Sequence, residues 1–429
     1  MDVIVLGLML LSLTIWLGLL CFWGQFWRTD QQLEFTETQL ESLPVVCAVV
    51  PARNEAQLLP TTLRSLLLQD YPGSFNVFLV DDRSTDGTAN FAEGVAHAVG
   101  KPQQLHIISG ESLPSGWSGK LWAVEQGIKS ASLFAPDYFL LTDADIEHDP
   151  GNLRRLVAKA VQEDLDMVSV MVRLRCESFW EKLLIPAFVF FFQKLYPFRW
   201  VNNPNNPTAG AAGGSILIAR EALERIGGIQ VIRQTLIDDC ALAQAVKRGT
   251  GDWGLGTGDK ETRRQLVAKS LSRLPQSLIP NPKYPIPSQG RIWLGLSTLT
   301  RSLRPYDSLA TIWDMVARTA YTQLNYSPLI LLGTLVGMPL IYLVSPVCVI
   351  LGVVWSNWAI AFTGLLGWLL MVLAYYPTIR FYKCSVWFAL SLPAIAFLYT
   401  LMTLDSALRH WQGRGGAWKG RVYPNPDNL

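Results

Sequence analysis

Two acidic residues follow an apolar run near the middle of the chain. The segment from Tyr138 to Pro150 reads YFLLTDADIEHDP and places Asp143 and Asp145 one residue apart. On an extended backbone the two side chains point the same way, about 6–7 Å apart. Carboxylates held side by side repel each other unless a cation lies nearby, and a hard divalent ion bound to phosphate oxygens meets that need. The pair predicts a Mg²⁺ or Mn²⁺ site used with a phosphate-bearing ligand, whereas acids that only begin a solvated turn are the alternative.

Two further polar clusters follow apolar runs. Pro51-Ala-Arg53-Asn-Glu55 comes after 45–50, and Asp82 comes after 76–81 within DDRSTDGT. Helix capping by Thr85 or Asp86 explains the residues from Ser84 to Thr88, but it does not explain Asp82. A carboxylate there can accept hydrogen bonds from a ribose or from a base N–H.

The chain also offers a candidate anion-binding lysine and a candidate base. Lys120 lies in Gly116-Trp-Ser-Gly-Lys-Leu-Trp122 at a predicted helix start, where free N–H groups and the helix dipole favour anions. Asp238 and Asp239 open another helical pattern after the glycine-rich run 209–215 and could act as a general base. The alternatives are a surface lysine at a helix cap and simple N-terminal capping by the two acids.

Alternating strand and helix patterns position these residues. Helical patterns cover about 56–69, 87–99 and 119–131. Such alternation predicts an α/β fold with a mostly parallel sheet, whose ligands bind at the carboxyl ends of the strands. The strand candidates are 45–50, 76–81, 105–109, 138–142, 166–173, 214–219 and 291–296.

Composition indicates a membrane protein with a large globular middle part. The 429 residues are 50% hydrophobic and only 16% charged, against about 25% charged in soluble domains. We expect an uncleaved anchor within 1–27 and helices at about 328–354, 357–377 and 386–404 in the region 327–405. The net charge of +2 argues against nucleic acid as a partner. Six cysteines without a CxxC pair indicate structural thiols.

Two other segments stand out. Residues 178–197 form a short, very apolar pattern, and we expect a helix in the membrane interface, with a buried core helix as the alternative. Residues 249–290 are rich in Gly, Pro, Ser, Lys and Arg, which predicts a disordered insertion. An interfacial helix would bring the site to the bilayer, where a lipid acceptor presents its hydroxyl.

Taken in order, these motifs resemble the family-2 glycosyltransferases of the GT-A fold, over about 44–320 and most strongly over 45–250. Further stretches at 171–198, 301–307 and 406–421 resemble the hopene-associated subgroup. The resemblance implies that Pro51, Arg53, Glu55, Asp82 and Lys120 hold the nucleotide and that Asp143 contacts ribose or diphosphate. It also implies that Asp145, with Asp143, binds the metal.

The resemblance further implies that Asp239, with Asp238, is the base. The implied reaction moves one sugar, with inversion, from a nucleotide-diphosphate sugar, expected to be a UDP-sugar, to a lipid hydroxyl. The acceptor is open among a hopanoid, a carotenoid, a diacylglycerol or a polyprenyl phosphate. Processive relatives carry a QxxRW motif that this chain lacks; Trp313 to Arg318 is a divergent counterpart in that place, which favours single transfer. A polysaccharide synthase, a nucleotidyltransferase and a non-catalytic membrane scaffold are the rival functions.

Nucleotide sugars are cytosolic, so we expect a cytoplasmic catalytic domain in a bacterial inner membrane. Arg28, Arg380 and Lys383 then fit the positive-inside tendency. The basic tail 406–429 does not fit after three further crossings. Either the last apolar segment, which contains Pro393, is re-entrant or the tendency fails here.

Overall fold

An eight-stranded mixed sheet forms the centre of the computed structural model, which describes residues 2–36, 40, 42–249, 290–414, 417–418 and 421–422. Its spatial order is β3-β2-β1-β4-β7-β6-β8-β5, and only β7 and β5 run against the others. The predicted α/β fold with a mostly parallel sheet is confirmed. The strands are β1 Val46–Ala52, β2 Phe75–Asp81, β3 Leu105–Ser109, β4 Tyr138–Thr142, β5 Ile146–Glu147, β6 Met167–Arg173, β7 Ser215–Ala219 and β8 Ile292–Ser302.

Both faces of the sheet are covered, which explains why β1 is apolar at every position. Cys47 and Val49 pack into the hydrophobic core on one face, and Val46, Ala48 and Val50 pack into the core on the other. Strand β8 extends six residues beyond the predicted 291–296 because its second half pairs with β5. The helices of this domain are α2 Leu59–Leu67, α3 Thr88–Ala98, α4 Gly119–Ala131, α5 Asn152–Gln162, α6 Phe179–Leu195, α7 Phe198–Val201, α8 Arg220–Ile226 and α9 Asp238–Arg248, with α1 Asp2–Phe22 preceding them.

Four helical segments are long and apolar enough to cross a membrane within the described part of the chain: Ile4–Phe22, Pro328–Val354, Trp358–Phe381 and Val386–Trp411. The second contains a π-helical turn, Pro339–Leu343, whose Ile341 carbonyl accepts a hydrogen bond from Trp16 Nε1 at 2.8 Å. This contact docks α1 against the other apolar helices. The helices after β8 are α10 Leu309–Ala317, α11 Ala320–Gln323, α12 Pro328–Met338, α13 Val344–Val354, α14 Trp358–Phe381 and α15 Leu392–Trp411.

The start of the last apolar segment contacts the α/β domain, and its end contacts helix α10. At its start, Cys384 Sγ lies 3.6 Å from Sγ of Cys176, just after β6. The segment then passes the middle of α14, where Trp368 Nε1 donates to the Leu390 carbonyl at 3.1 Å. At its end, Arg409 of α15 pairs with Asp314 of α10 at 2.8 Å. These contacts favour the re-entrant alternative for residues 386–404 over a third crossing.

Helix α6 lies between the sheet and the apolar helices. Phe190 is fully buried, and Tyr399 of α15 donates to the Leu184 carbonyl at 2.9 Å. Exposed aromatic area on this helix is concentrated at its start, where Phe179 is 61% exposed. An interfacial position for 178–197 stays a prediction, but Phe190 packs against protein. The predicted disordered insertion lies, from residue 250 to 289, outside the described residues, as do residues 415–416, 419–420 and 423–429 of the basic tail.

Candidate active site

The ends of β1 and β2 place Arg53 and Asp82 together. Arg53 Nη1 donates to the Asp82 carbonyl at 2.6 Å and lies 3.8 Å from its Oδ2. Asp82 is 1% exposed, and its amide donates to the Ala52 carbonyl at 2.8 Å. Gly110 permits this packing, because a Cβ there would lie 2.9 Å from the Asp81 carbonyl oxygen and 3.0 Å from Asp82 Cα. Asp82 is therefore fixed at the strand end.

Asp145 and Glu55 are bridged by a cation that the sequence analysis did not assign. Arg304 Nε lies 2.8 Å from Asp145 Oδ2, and Arg304 Nη2 lies 2.7 Å from Glu55 Oε1. The carboxylate side chains are only 10% and 9% exposed. The three side chains join the ends of β1, β4 and β8 at one edge. Arg304 belongs to the quoted stretch 301–307, and its only sequence signal was a basic residue shortly after a strand.

Asp143 and Asp238 share a second cation. Lys120 Nζ lies 2.9 Å from Asp143 Oδ1 and 3.0 Å from Asp238 Oδ2. Lys120 is the second residue of α4, whose start is capped by Ser118 Oγ accepting from Leu121 N. Burial favours the neutral amine, but the two carboxylates outweigh it and raise the pKa of Lys120 well above its ordinary value. The lysine is charged and joins the predicted donor side to the predicted base.

Asp239 lies beside this pair, with both of its oxygens held by backbone amides. Gly213 N donates to Oδ2 at 2.9 Å and Cys240 N donates to Oδ1 at 2.7 Å. Burial, followed by the charge of Asp238, raises the pKa of Asp239 to about 6. A carboxylate with that pKa is ionised at neutral pH yet basic enough to accept a proton.

One cleft is lined by residues from both sides of the candidate site. Its polar lining consists mainly of Lys120, Thr142, Asp143, Asp238 and Asp239. Apolar side chains from α4, β4, β7, α9 and the turn Ile229–Ile232 form most of the remaining wall. The structure therefore brings the predicted donor residue Asp143 and the predicted base Asp239 to one space, and it places Pro51 at the same cleft.

The donor set fits a divalent ion only when a phosphate-bearing ligand is shared. Within the described ranges, no group of three or more His, Cys, Asp or Glu side chains could hold a metal ion. Asp143 and Asp145 nevertheless supply hard oxygen ligands. Mg²⁺ commonly uses one or two carboxylates, with waters and substrate phosphates completing its shell. Asp145, with Asp143 beside it, would hold the ion.

The suggested counterpart of QxxRW is directed mainly toward the apolar helices. Trp313 Nε1 donates to Asp405 Oδ2 of α15 at 2.7 Å, and Asp314 pairs with Arg409. Trp313 and Asp314 therefore dock α10 on α15. This segment has a structural role that the sequence comparison did not predict.

Comparison with known proteins agrees with the fold and the class of site. Residues 47–227 match the family described as Glycosyl transferase family 2. The undecaprenyl-phosphate 4-deoxy-4-formamido-L-arabinose transferase of Enterobacter sp. (strain 638) is 30% identical over 151 residues, or 34% of this chain and 42% of that protein. The undecaprenyl-phosphate mannosyltransferase of Micrococcus luteus is 31% identical over 121 residues, or 28% and 46%. The chain thus spans less than half the length of these curated relatives.

A solved structure extends the fold likeness to the apolar helices. The mannosyltransferase PcManGT from Pyrobaculum calidifontis, in complex with GDP-Man and Mn²⁺, aligns over 96% of this chain and 99% of its own. The TM-score is 0.51 and the sequence identity is 16%. This likeness establishes a GT-A fold with apolar helices at both ends.

Proposed function

We propose that this chain is a membrane-bound inverting glycosyltransferase that moves one sugar from a nucleotide-diphosphate sugar to a lipid hydroxyl. The observation that carries the proposal is Asp239, an amide-held carboxylate that lines the same cleft as Asp143 and Lys120. A base next to a donor site is what transfer to a hydroxyl requires, because a neutral hydroxyl must lose its proton as it attacks.

In the proposed reaction, the acceptor oxygen attacks the anomeric carbon while the bond from that carbon to the diphosphate oxygen breaks. The acceptor proton passes to Asp239, and the bonding electrons leave with the nucleoside diphosphate. Lys120 provides a positive charge at the helix start beside the departing diphosphate. Asp82 and the Arg53–Glu55 turn hold the nucleoside. A bound divalent ion supplies charge neutralisation of the same diphosphate.

A polyprenyl phosphate is the second candidate acceptor, because two curated relatives are named for undecaprenyl-phosphate transfer. The site itself favours a hydroxyl. A phosphate is already ionised at neutral pH and needs no base, and the carboxylates of Asp238 and Asp239 repel it. A hopanoid acceptor and a UDP-sugar donor stay predictions.

The charge distribution supports a cytoplasmic catalytic domain. Arg28 follows α1, and Arg380 and Lys383 lie where α14 returns toward β6. We place Arg409 on the same side, because Cys384 at the start of the last apolar segment contacts Cys176 and Arg409 near its end pairs with Asp314. With a re-entrant final segment, the basic residues all fit the positive-inside tendency.

The experiment uses the full chain in lipid nanodiscs. UDP and GDP are titrated with and without Mn²⁺, and labelled UDP- and GDP-sugars are then supplied with lipid extracts. We expect binding of one nucleotide in the presence of Mn²⁺, its loss in Asp145→Ala, and a labelled lipid whose glycosidic bond resists mild acid. A product that releases its sugar in mild acid would favour the phosphate acceptor. No nucleotide binding and no labelled lipid would refute sugar transfer.

Asp164→Asn is the matched acidic control, since Asp164 has a 94% exposed side chain and lies outside the cleft. Its positive φ of 50° is a conformation that asparagine also accepts. We expect it to bind nucleotide and transfer sugar as the native chain does.

A further inference from the structure

We propose that Arg304 makes divalent-ion binding at Asp145 conditional on the nucleotide. Without the donor, its guanidinium forms ion pairs with Asp145 and Glu55. When a nucleoside diphosphate binds, the guanidinium moves to the phosphate oxygens and leaves Asp145 available to the ion. This inference rests on the proposed function and assigns a donor-positioning residue that lies outside the matched range 47–227.

The first support is that the backbone next to Arg304 is fixed against the Asp145 strand end. Leu303 N donates to the Asp145 carbonyl at 2.8 Å, and Ser302 pairs with Ile146 in the β5–β8 ladder. Arg304 follows directly, so its side chain starts next to Asp145. Reaching Glu55 then extends the guanidinium across the edge of the sheet to the turn after β1.

The second support is that Arg304 is more exposed than the acids it bridges. Its side chain is 32% exposed, against 10% for Asp145 and 9% for Glu55. The acids are fixed at their strand ends, whereas the guanidinium reaches solvent on one side. It can therefore exchange one anionic partner for another without unfolding the strand ends.

The third support is electrostatic. An ion coordinated by Asp145 would lie within a few ångström of the guanidinium that now contacts Oδ2. The ion and the guanidinium carry charge of the same sign and repel each other at that distance. Withdrawing Arg304 from Asp145 without a replacement is also unfavourable, because a buried carboxylate needs a cation.

A diphosphate resolves both problems. Its oxygens offer the arginine a fork-matched anionic partner, and they complete the shell of the ion at Asp145. Ion and nucleotide should therefore bind with positive coupling. By linkage, each must raise the affinity of the other by the same factor.

The test measures Mn²⁺ affinity directly, by the electron paramagnetic resonance signal of free Mn²⁺, with the full chain in nanodiscs. It is done without nucleotide and with saturating UDP, and again with GDP. We expect weak Mn²⁺ binding to the native chain alone and at least about a tenfold gain with one nucleotide, the scale of ordinary coupling between sites. In Arg304→Gln we expect Mn²⁺ alone to bind at least about tenfold more tightly, and the gain from nucleotide to be smaller than in the native chain, because only the shared phosphate oxygens still couple the two ligands.

Arg301→Gln is the matched control. Arg301 lies three residues before Arg304, near the end of β8, and its side chain is 61% exposed and pairs with Glu147 instead of Asp145. It should leave both Mn²⁺ affinities unchanged. Arg304→Lys keeps one charge but cannot bridge two acids with a planar fork, so intermediate values are expected. If Arg304→Gln does not fold, the lysine variant decides: native-like Mn²⁺ affinity and coupling would overturn the proposal.

The outcomes separate this inference from the proposed function. If neither nucleotide raises Mn²⁺ binding to the native chain, both proposals are overturned. If nucleotide coupling is present in the native chain and unchanged in Arg304→Gln, only the role of Arg304 is overturned. A merely structural arginine would lower the unfolding temperature without tightening Mn²⁺ binding in the absence of nucleotide.

Discussion

Two carboxylate pairs at the same sheet edge are each bridged by one cation, but the pairs differ in depth. Asp145 and Glu55, with side chains about one-tenth exposed, are joined by the planar fork of Arg304. Asp143 and Asp238 have side chains 36% and 24% exposed, and they share the compact ammonium of Lys120. The first pair ties strand ends together, whereas the second faces the cleft where donor and acceptor would meet.

This difference indicates a division of labour. As long as no nucleotide is bound, an arginine between two buried acids holds their geometry, because its fork satisfies both partners at fixed angles. A lysine at a helix start beside an open cleft provides a point charge that a diphosphate can approach. Asp239 belongs to neither pair; backbone amides hold both of its carboxylate oxygens, and its pKa is raised to about 6.

The largest effect should come from removing the base. In Asp239→Asn we expect sugar transfer to fall by about 10³-fold, within the range for general-base catalysis, because the amide cannot accept the acceptor proton. Nucleotide affinity should change by less than about twofold, since the donor contacts remain. Initial rates with labelled donor, compared with calorimetric nucleotide binding, separate the two quantities. Equal losses of rate and nucleotide affinity would place Asp239 in donor binding instead.

The second effect should come from the lysine. In Lys120→Met the two carboxylates lose their shared cation and the diphosphate loses a positive charge. We expect nucleotide affinity to fall about 10–100-fold, and Lys120→Arg to restore part of it. Lys129→Met is the matched control, since Lys129 is exposed in the last turn of the same helix. If Lys120→Met binds the nucleotide with the affinity of the native chain, the lysine is not part of the donor site.

The smallest effect should be a change in the pH profile. Because burial and Asp238 raise the pKa of Asp239 to about 6, the base form is lost as pH falls through 6. Transfer should be nearly constant from pH 7 to 8 and should then fall about tenfold per unit well below pH 6.

The comparison of the two lysine variants sharpens this prediction. Lys120 lowers the pKa of Asp239, so Lys120→Met should move the falling limb to higher pH, whereas Lys129→Met should not. The profile is measured at saturating donor, so that the loss of nucleotide affinity does not enter. If the fall of the transfer rate at low pH occurs at the same pH in both variants, the charge of Lys120 does not influence the pKa of Asp239.

Much of the site could be predicted because its residues lie where strands end. The carboxyl ends of parallel strands converge at one edge, so Glu55, Asp82 and Asp143 were expected to lie close together. Lys120 and Asp239 both lie at predicted helix starts, which predicted an anion-binding role for the lysine and a base role for the aspartate. In the structure both residues line one cleft. These inferences needed only local periodicity and the topology of an α/β sheet.

Arg304 was missed for a physical reason. It lies 249 residues after Glu55 and 159 after Asp145, and one basic residue after a strand carries no signal of its own. The path of the last apolar segment could not be predicted either, because length and hydropathy do not distinguish a crossing from a segment that returns to the same side. The contacts of Cys384, Trp368 and Arg409 are the observations on which our proposal of a returning segment rests.

The sequence by itself determined the strand and helix types, the acidic strand ends and the apolar helices, since each depends on residues close together in the chain. Tertiary structure alone decided which cation holds which carboxylate. Pairs such as Arg304 with Glu55 and Lys120 with Asp238 join segments far apart in the chain, and the free energy of an ion pair depends on burial that only the folded chain defines.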